Sequence, residues 1–481
     1  MDELIRTLSQ TLPGKVFQPD VAEYEESLTS YFSAQESQIR PACIVRPSTA
    51  SDVSKVVTLL VQVNQRNGLG SIKFAVRSGG HASFANSANE PNGVTFDLRG
   101  IHSIEVKDDR SQVVIGAGAS WGEVYRTLDP LGLAVPGGRH SQVGVGGLTL
   151  GGGLSHFSGH VGLVCDNVDD YEVVLASGAI VHAKANDVST QDLFRALRGG
   201  SNNFGIVTHF TFRTFTQGRL WGGTLIHGID TREQQLKSFY DFAGSSNPDP
   251  SASLIHSFGM SAGQGSAFVN GVVYTKPEQN PVVIKPFLEP NPIYVNTLRE
   301  LTLTELTQEQ DGFNENGLCQ VMIATSYYLH LPLLHRTFEL WQASCSSVEN
   351  YSGIRWSMTL QPIVPGVIAK SLFLQDAIPT LSHEQKTIVV AQVTGTWKDD
   401  KDTPAIEAAA VGLIDKIDDA AKQDQMQTGY VYLNYAHTGQ NVFSDGSDKG
   451  EQRKEWLRSI SRKYDPEGIF QRCVTGGFKL F

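Results

Sequence analysis

The sequence has no apolar run near the roughly 18–20 residues a bilayer-spanning helix needs, so a transmembrane helix is not expected. It also lacks a basic excess. Against 50 acidic residues there are 39 Lys and Arg, a net charge of −11. No local basic run offsets this, and a nucleic-acid partner is therefore not expected. Cysteine is sparse and unpatterned: Cys43, Cys165, Cys319, Cys345 and Cys473 are odd in number and never spaced C-x-x-C. Neither a zinc site nor a disulfide framework fits that spacing, and no metal is expected. The opening stretch, MDELIRTLSQTLPGK, begins with acids and has no apolar core, so it does not read as a secretory signal. The expectation is a cytoplasmic or otherwise intracellular protein.

What is present is length and a mixed pattern. A chain of 481 residues exceeds one ordinary core, and more than one domain is the default. Ser51 to Asn67 reads as an amphipathic helix capped by Ser51 or Asp52, with Val53, Val56, Val57, Leu60 and Val61 at helical spacing. Short strand-like runs follow at Ile72–Arg77, Gly93–Leu98, Ile104–Val106 and Gln112–Ala117. Further runs lie at Tyr171–Leu175, Ile180–Ala183 and Gly205–Phe215. Ser120-Trp121-Gly122-Glu123 is a capping box opening another helix. Farther on, Ala267–Tyr274, Gln320–Tyr328 and Thr387–Thr394 suggest a sheet. Helices near Arg232–Phe242, Pro332–Ala343 and Ile406–Asp418 would back it, and a last helix covers Glu451–Tyr464. The pattern predicts an α+β protein with a first domain over 1–215, a second over 216–420, and a 421–481 segment returning to the first.

Glycine is concentrated where the chemistry is expected. Arg77-Ser78-Gly79-Gly80-His81 follows a predicted strand, and its paired glycines can turn backbone N–H groups toward an anion. The second cluster runs from Pro136-Gly137-Gly138-Arg139-His140 through Val143-Gly144-Val145-Gly146-Gly147 to Gly151-Gly152-Gly153. Its glycines alternate with Val and Leu, unlike a polar flexible linker, as if backbone must approach a flat or anionic ligand closely. A Rossmann fingerprint is not matched, since no strand–turn–helix unit with a following acid is evident.

These segments, with Asp166-Asn167-Val168, RGGSNNFGIV (198–207), Tyr432-Leu433-Asn434-Tyr435-Ala436 and KYDPEGIF (463–470), resemble the berberine-bridge-enzyme-like oxidases. That family lies in the vanillyl-alcohol-oxidase superfamily. The motifs stand in family order from about residue 40 onward, and the closest look is to fungal members, which often serve secondary metabolism. The resemblance implies a PCMH-type FAD-binding domain with an inserted substrate domain, an antiparallel sheet backed by helices. It further implies that His81 carries FAD covalently through the flavin 8α carbon. A neutral imidazole is a competent nucleophile for that bond. Many members add a cysteinyl link seven residues before the second glycine of the V-G-V-G-G run. Here that position is His140, so a single covalent link is expected.

The resemblance places Arg77, Ser78, Gly79, Gly80, Ala82 and Ser83 around the cofactor. With them come Pro136, Gly137, Gly138, Val143, Gly144, Gly146, Gly147, Gly151, Gly152, Gly153, Gly205, Ile206, Val207 and Asn434. Val143 matches an oxygen-gatekeeper position, which favours an oxidase using O2 and releasing H2O2. Tyr435, with Tyr432 beside it, is the catalytic candidate, and base or substrate-positioning roles both stay open. So do packing and acid–base roles for His140. Gln361 is a cavity candidate because it is polar within a strand-like run, and His156 and His160 read as structural or near-cofactor residues. The implied reaction is oxidation of a small organic substrate by hydride transfer to FAD, with or without ring closure. A redox-silent FAD cyclase and a flavin-binding protein without turnover are the alternatives.

Overall fold

The computed structural model describes residues 1–313, 315–378 and 386–481. The α+β expectation holds, and its first long helix shows how pattern becomes packing. Val53, Val56, Val57, Leu60 and Val61 line the buried face of Ala50–Asn67. Its cap differs from the sequence expectation. Thr49 Oγ1 accepts from Asp52 N at 3.1 Å, while the Asp52 carboxylate is held by Lys15 at 2.6 Å. The predicted Ser120–Glu123 capping box is present, Ser120 N donating to Glu123 Oε2 at 2.7 Å.

Two sheets share one large core. In the first, Cys43–Val45, Val94–Asp97 and Phe74–Arg77 pair parallel, with Val16–Phe17 added antiparallel. The second is antiparallel throughout, in the order Ile104–Val106, Gln112–Gly116, Ile206–Arg213, Val168–Val174, Ile180–Lys184. The end of the chain joins the same core. Leu457, Ile460, Phe470, Val474 and Leu480 pack into it, and Phe74 N donates to Cys473 O at 2.8 Å.

The third sheet is antiparallel, with eight strands among the described residues. Leu220–Gly228, Gly265–Tyr274, Ala252–Ser261, Arg355–Ile363, Ile388–Trp397 and Cys319–Tyr328 lie side by side in that order. Two of these, Leu220–Gly228 and Ala252–Ser261, escape the sequence reading, and of Arg355–Ile363 it caught only the run around Gln361. They mix glycine or polar residues with apolar ones, and their strand character comes from their neighbours. Helices Arg232–Ala243, Leu331–Val348 and Thr403–Gln423 cover one face through Leu236, Phe239, Phe338, Trp341 and Ile414.

Side chains alternate across a strand, so the opposite face is fixed by the same register. On Arg355–Ile363 the residues Trp356, Met358 and Leu360 pack with the helices, which sends Gln361 to the other side. Gln361 stands opposite Val390, and Val390 belongs with Ala324, Ile363, Tyr430 and Tyr432 in a separate apolar cluster. The site develops on that face. Among the described residues no helix is long and apolar enough to cross a membrane.

Candidate active site

Two loops meet backbone to backbone. A Cβ on Gly79 would lie 2.6 Å from Gly144 Cα, and one on Gly144 would lie 2.4 Å from Gly79 N. Ser78 Oγ ties the loops together, donating to Ala117 O at 2.6 Å and accepting from Gly146 N at 3.1 Å. Much of the glycine richness serves such protein–protein contact. Gly137 and Gly138 lie against the Trp121 ring, Gly151 against the Asn434 side chain and Gly153 against Val164. Gly147 is different, because a Cβ there would meet nothing within 4 Å. The sequence reading assigned the whole run to ligand approach, whereas within Val143–Gly147 it is Gly147 that faces open space.

Arg77 does not direct its charge into this cradle. Its guanidinium donates to Ser27 O and Ser30 O at 2.5 and 3.0 Å and lies 3.8 Å over the Tyr31 ring. Beyond it, His81 is half-buried and stacks on Phe32, with centroids 4.0 Å apart and planes 9° from parallel. Burial, then the charge of His140, pushes the His81 pKa down to about 4. The ring is therefore neutral at neutral pH. Ser83 is buried and its Oγ accepts from Met322 N at 3.2 Å, joining this loop to the large sheet. Ala82, beside it in the chain, is half-buried.

The segment carrying Arg139, His140 and Val143 is clasped by residues far along the chain. Asp311 accepts from Ser141 N at 2.9 Å and also from Ser141 Oγ, and Asn316 Nδ2 donates to Gln142 Oε1 at 2.6 Å. Burial and the neighbouring Arg139 push the His140 pKa down to about 4, and the ring hydrogen-bonds the Gln310 backbone. Val143 packs at the edge of the main core. Pro136 is buried, and Gly137 N donates to Ser155 Oγ at 3.2 Å. Gly152 lies against Phe373. Gly205, Ile206 and Val207 are buried where the five-stranded sheet begins its central strand, with Gly205 close to Val173.

The Tyr432–Tyr435 turn divides its two phenols. Tyr432 is 2% exposed, and its oxygen accepts from Leu154 N at 2.7 Å and Asn434 Nδ2 at 3.1 Å. Burial drives its pKa upward, which suits a structural strut better than a base. Asn434 also donates to Leu148 O at 3.0 Å, fastening the turn to the glycine helix Val145–Leu150. Tyr435, half-buried, sends its hydroxyl elsewhere. Arg139 Nη2 lies 2.5 Å from Tyr435 Oη, and Gln361 contacts the same oxygen through Nε2 at 3.0 Å and Oε1 at 3.3 Å.

Thus the structure gathers Tyr435, Gln361 and Arg139 at one point, while Tyr432 packs edge-on against the Tyr435 ring at 4.8 Å with its hydroxyl bonded elsewhere. Arg139 was not singled out from the sequence, although a signal existed: it stands within the glycine run with no acid inside four residues on either side. Asp311 carried no such signal. A cavity of about 350 Å³ opens beside this point, lined among others by Arg139, Leu154, His156, Phe242, Gln361 and Val367. His156 is buried with Nδ1 3.2 Å from Ser253 Oγ, and His160 Nε2 lies 3.2 Å from Ser251 Oγ. Among the described residues no group of His, Cys, Asp and Glu could hold a metal ion.

A family model described as an FAD binding domain matches residues 41–184. FAD-dependent monooxygenase CTB5 of Cercospora beticola is 32% identical over 100% of this chain and 91% of its own length. FAD-dependent monooxygenase sdcF of Emericella nidulans is 32% identical over 98% of this chain and 97% of its own. Oligopeptidase PhomG' of Diaporthe leptostromiformis is 33% identical over 97% of this chain, which spans only 36% of that relative. Among solved structures, 6-hydroxy-D-nicotine oxidase from Arthrobacter nicotinovorans has a TM-score of 0.76 at 20% identity, covering 98% of both chains. Xylooligosaccharide oxidase from Myceliophthora thermophila C1, in complex with xylobiose, has a TM-score of 0.73 at 19% identity, covering 99% of both. The structural likeness is one of fold.

Proposed function

This chain belongs to the berberine-bridge-like FAD-linked oxidoreductases of the vanillyl-alcohol-oxidase superfamily, and from that premise we propose that it oxidises a hydroxyl-bearing small molecule, with Tyr435 as proton acceptor and O2 as final electron acceptor. The carrying observation is that Arg139 and Gln361, which line a ligand-sized cavity, converge on Tyr435 Oη. In this reading residues 1–215 and 421–481 serve the cofactor, and 216–420 serve the substrate.

The residues fit FAD. Gly147 leaves open space beside two loops locked by Gly79 and Gly144, and a neutral imidazole stands at their end. When bound, FAD supplies the acceptor for a hydride and passes the electron pair to O2, giving H2O2. His81, uncharged at neutral pH, keeps a ring lone pair available for the proposed bond to the 8α carbon. With His140 where relatives carry cysteine, one link is proposed. His140 then acts through packing beside that loop. Val143 borders the region through which O2 is proposed to enter.

Tyr435 Oη, in its phenolate form, takes the substrate hydroxyl proton as the C–H bond breaks. Arg139 places positive charge beside that oxygen, and the Gln361 amide holds its orientation. Leu154, Phe242 and Val367 exclude water from the substrate's path.

Anaerobic addition of candidate alcohols tests the proposal. Substrate should bleach the flavin, and air should restore the colour with stoichiometric peroxide. The names of the relatives favour a second reading, monooxygenation, in which oxygen from labelled O2 enters the product. Product formation with a flavin that stays yellow would instead identify redox-silent cyclisation.

A further inference from the structure

The cavity beside Tyr435 is mostly apolar, and among the described residues its two lining cations, Arg139 and Lys370, form no ion pair with a carboxylate, Lys370 at the exposed rim and Arg139 beside Tyr435. Leu154, Phe242, Val283, Pro286, Pro362 and Val367 supply its walls. Its charged groups other than Arg139 are engaged within the protein. Lys370 Nζ donates to Gly159 O at 2.5 Å, and Asp241 pairs with Lys237 at 2.5 Å. Asp249 accepts from Tyr274 Oη and from Ser251 N, each at 2.9 Å. Arg139 differs. Among the described residues no carboxylate forms an ion pair with it, and its side chain contacts the hydroxyl of Tyr435.

The amide and imidazole groups around it are uncharged. Gln361 is an amide, and His140 and His156 both have their pKa values lowered by burial and then by the charge of Arg139. A guanidinium has five N–H donors and no acceptor. Beyond its contact to Tyr435, Arg139 lines a space of about 350 Å³, toward the small end for ligand sites. Charged groups in apolar surroundings are disfavoured unless paired, and planar oxyanions match the guanidinium fork best.

We propose that the substrate is a compact, largely apolar hydroxy compound bearing one acidic oxygen group, a carboxylate or ionised phenol, which pairs with Arg139 while its reacting hydroxyl lies on Tyr435. This rests on the assignment of the cavity beside Tyr435 as the substrate site. The pair fixes the molecule's orientation, so Arg139 selects the anion as well as attending Tyr435. A neutral sugar or neutral ester offers no partner for that charge.

Binding is read without turnover, as the perturbation of the flavin spectrum when FAD-loaded protein is titrated with mandelate, methyl mandelate and para-nitrophenolate. Mandelate is expected to bind at least about tenfold more tightly than its ester, as a charge-assisted hydrogen bond predicts. Arg139→Gln should reduce mandelate to the affinity of the ester and leave the ester unchanged. If the phenolate alone outbinds the ester, the acidic group is a phenol; if mandelate alone does, it is a carboxylate. Equal binding of all three probes to the native protein overturns the inference, as does an equal loss for acid and ester in Arg139→Gln. Should that variant fail to retain FAD, Arg139→Lys decides, since a point cation should keep a reduced preference for the acid. Preference for the anion without any flavin bleaching would sink the redox reading and leave this one standing.

Discussion

A histidine does different work according to what surrounds it. His81 and His140 are both held neutral, yet only His81 stands in the RSGGH loop stacked on Phe32. Acid precipitation of His81→Ala should give a colourless pellet and a yellow supernatant, with no flavin mass on the loop peptide. His140→Ala should give a yellow pellet like the native protein. The two tyrosines separate in the same way. Tyr435→Phe should keep its FAD and fold but slow anaerobic flavin reduction by about 10²–10⁴, the usual size of an acid–base contribution. Tyr432→Phe leaves Leu154 N and Asn434 without their buried acceptor. It should lower unfolding free energy by about 1–3 kcal/mol, read by denaturant titration, while the reduction rate per bound flavin stays nearly native.

The glycine loops show that one residue type can answer two demands within a few positions. Gly144 has no room for a side chain because the Gly79 backbone fills the space, whereas Gly147 faces nothing within 4 Å. Gly144→Ala should force the loops apart and reduce both thermal stability and FAD content. Gly147→Ala should leave the melting temperature of the cofactor-free protein unchanged and lower its affinity for added FAD. Equal behaviour of the two variants would mean that Gly147 does not border the cofactor. The large sheet works by the same economy of position, since its period-two register gives one face to helices and the other to Gln361.

Across the whole molecule, buried titratable groups set how stability follows pH. His81, His140 and His256 fall from 6.5 to about 4 on folding, all chiefly through burial, and burial lowers His156 in the same way. The unfolded chain therefore takes up their protons first, and stability is lost as pH falls from 6.5 toward 4. Glu36 runs the other way, raised by burial from 4.5 to about 7 against the hydrogen bonds from Ala88 and Ser87. Its contribution is full below 4.5 and disappears as pH rises through 7. Between pH 4.5 and 6.5 these histidines outweigh the one carboxyl, so stability should drop on acidification by more than the roughly 1.4 kcal/mol per unit of a single net proton. Denaturant titrations across that range check the slope. Glu36→Gln removes the opposing group and should steepen it.

Sequence alone determined the features that need only local chemistry. The Ser120–Glu123 box, the amphipathic stripe of Ala50–Asn67 and the order of the glycine motifs all follow from neighbours within a few residues. The motif order was enough to expect an α+β fold, FAD and an oxidoreductase. Tertiary structure alone decided which polar groups converge. Arg139, Gln361 and Tyr435 meet from three distant segments, and Asp311 reaches Ser141 across 170 residues. It also decided which glycines carry weight for contact and which leave space. Spacing along the chain records periodicity, but a hydrogen bond between remote segments depends on sheet register and domain packing, which no single segment encodes.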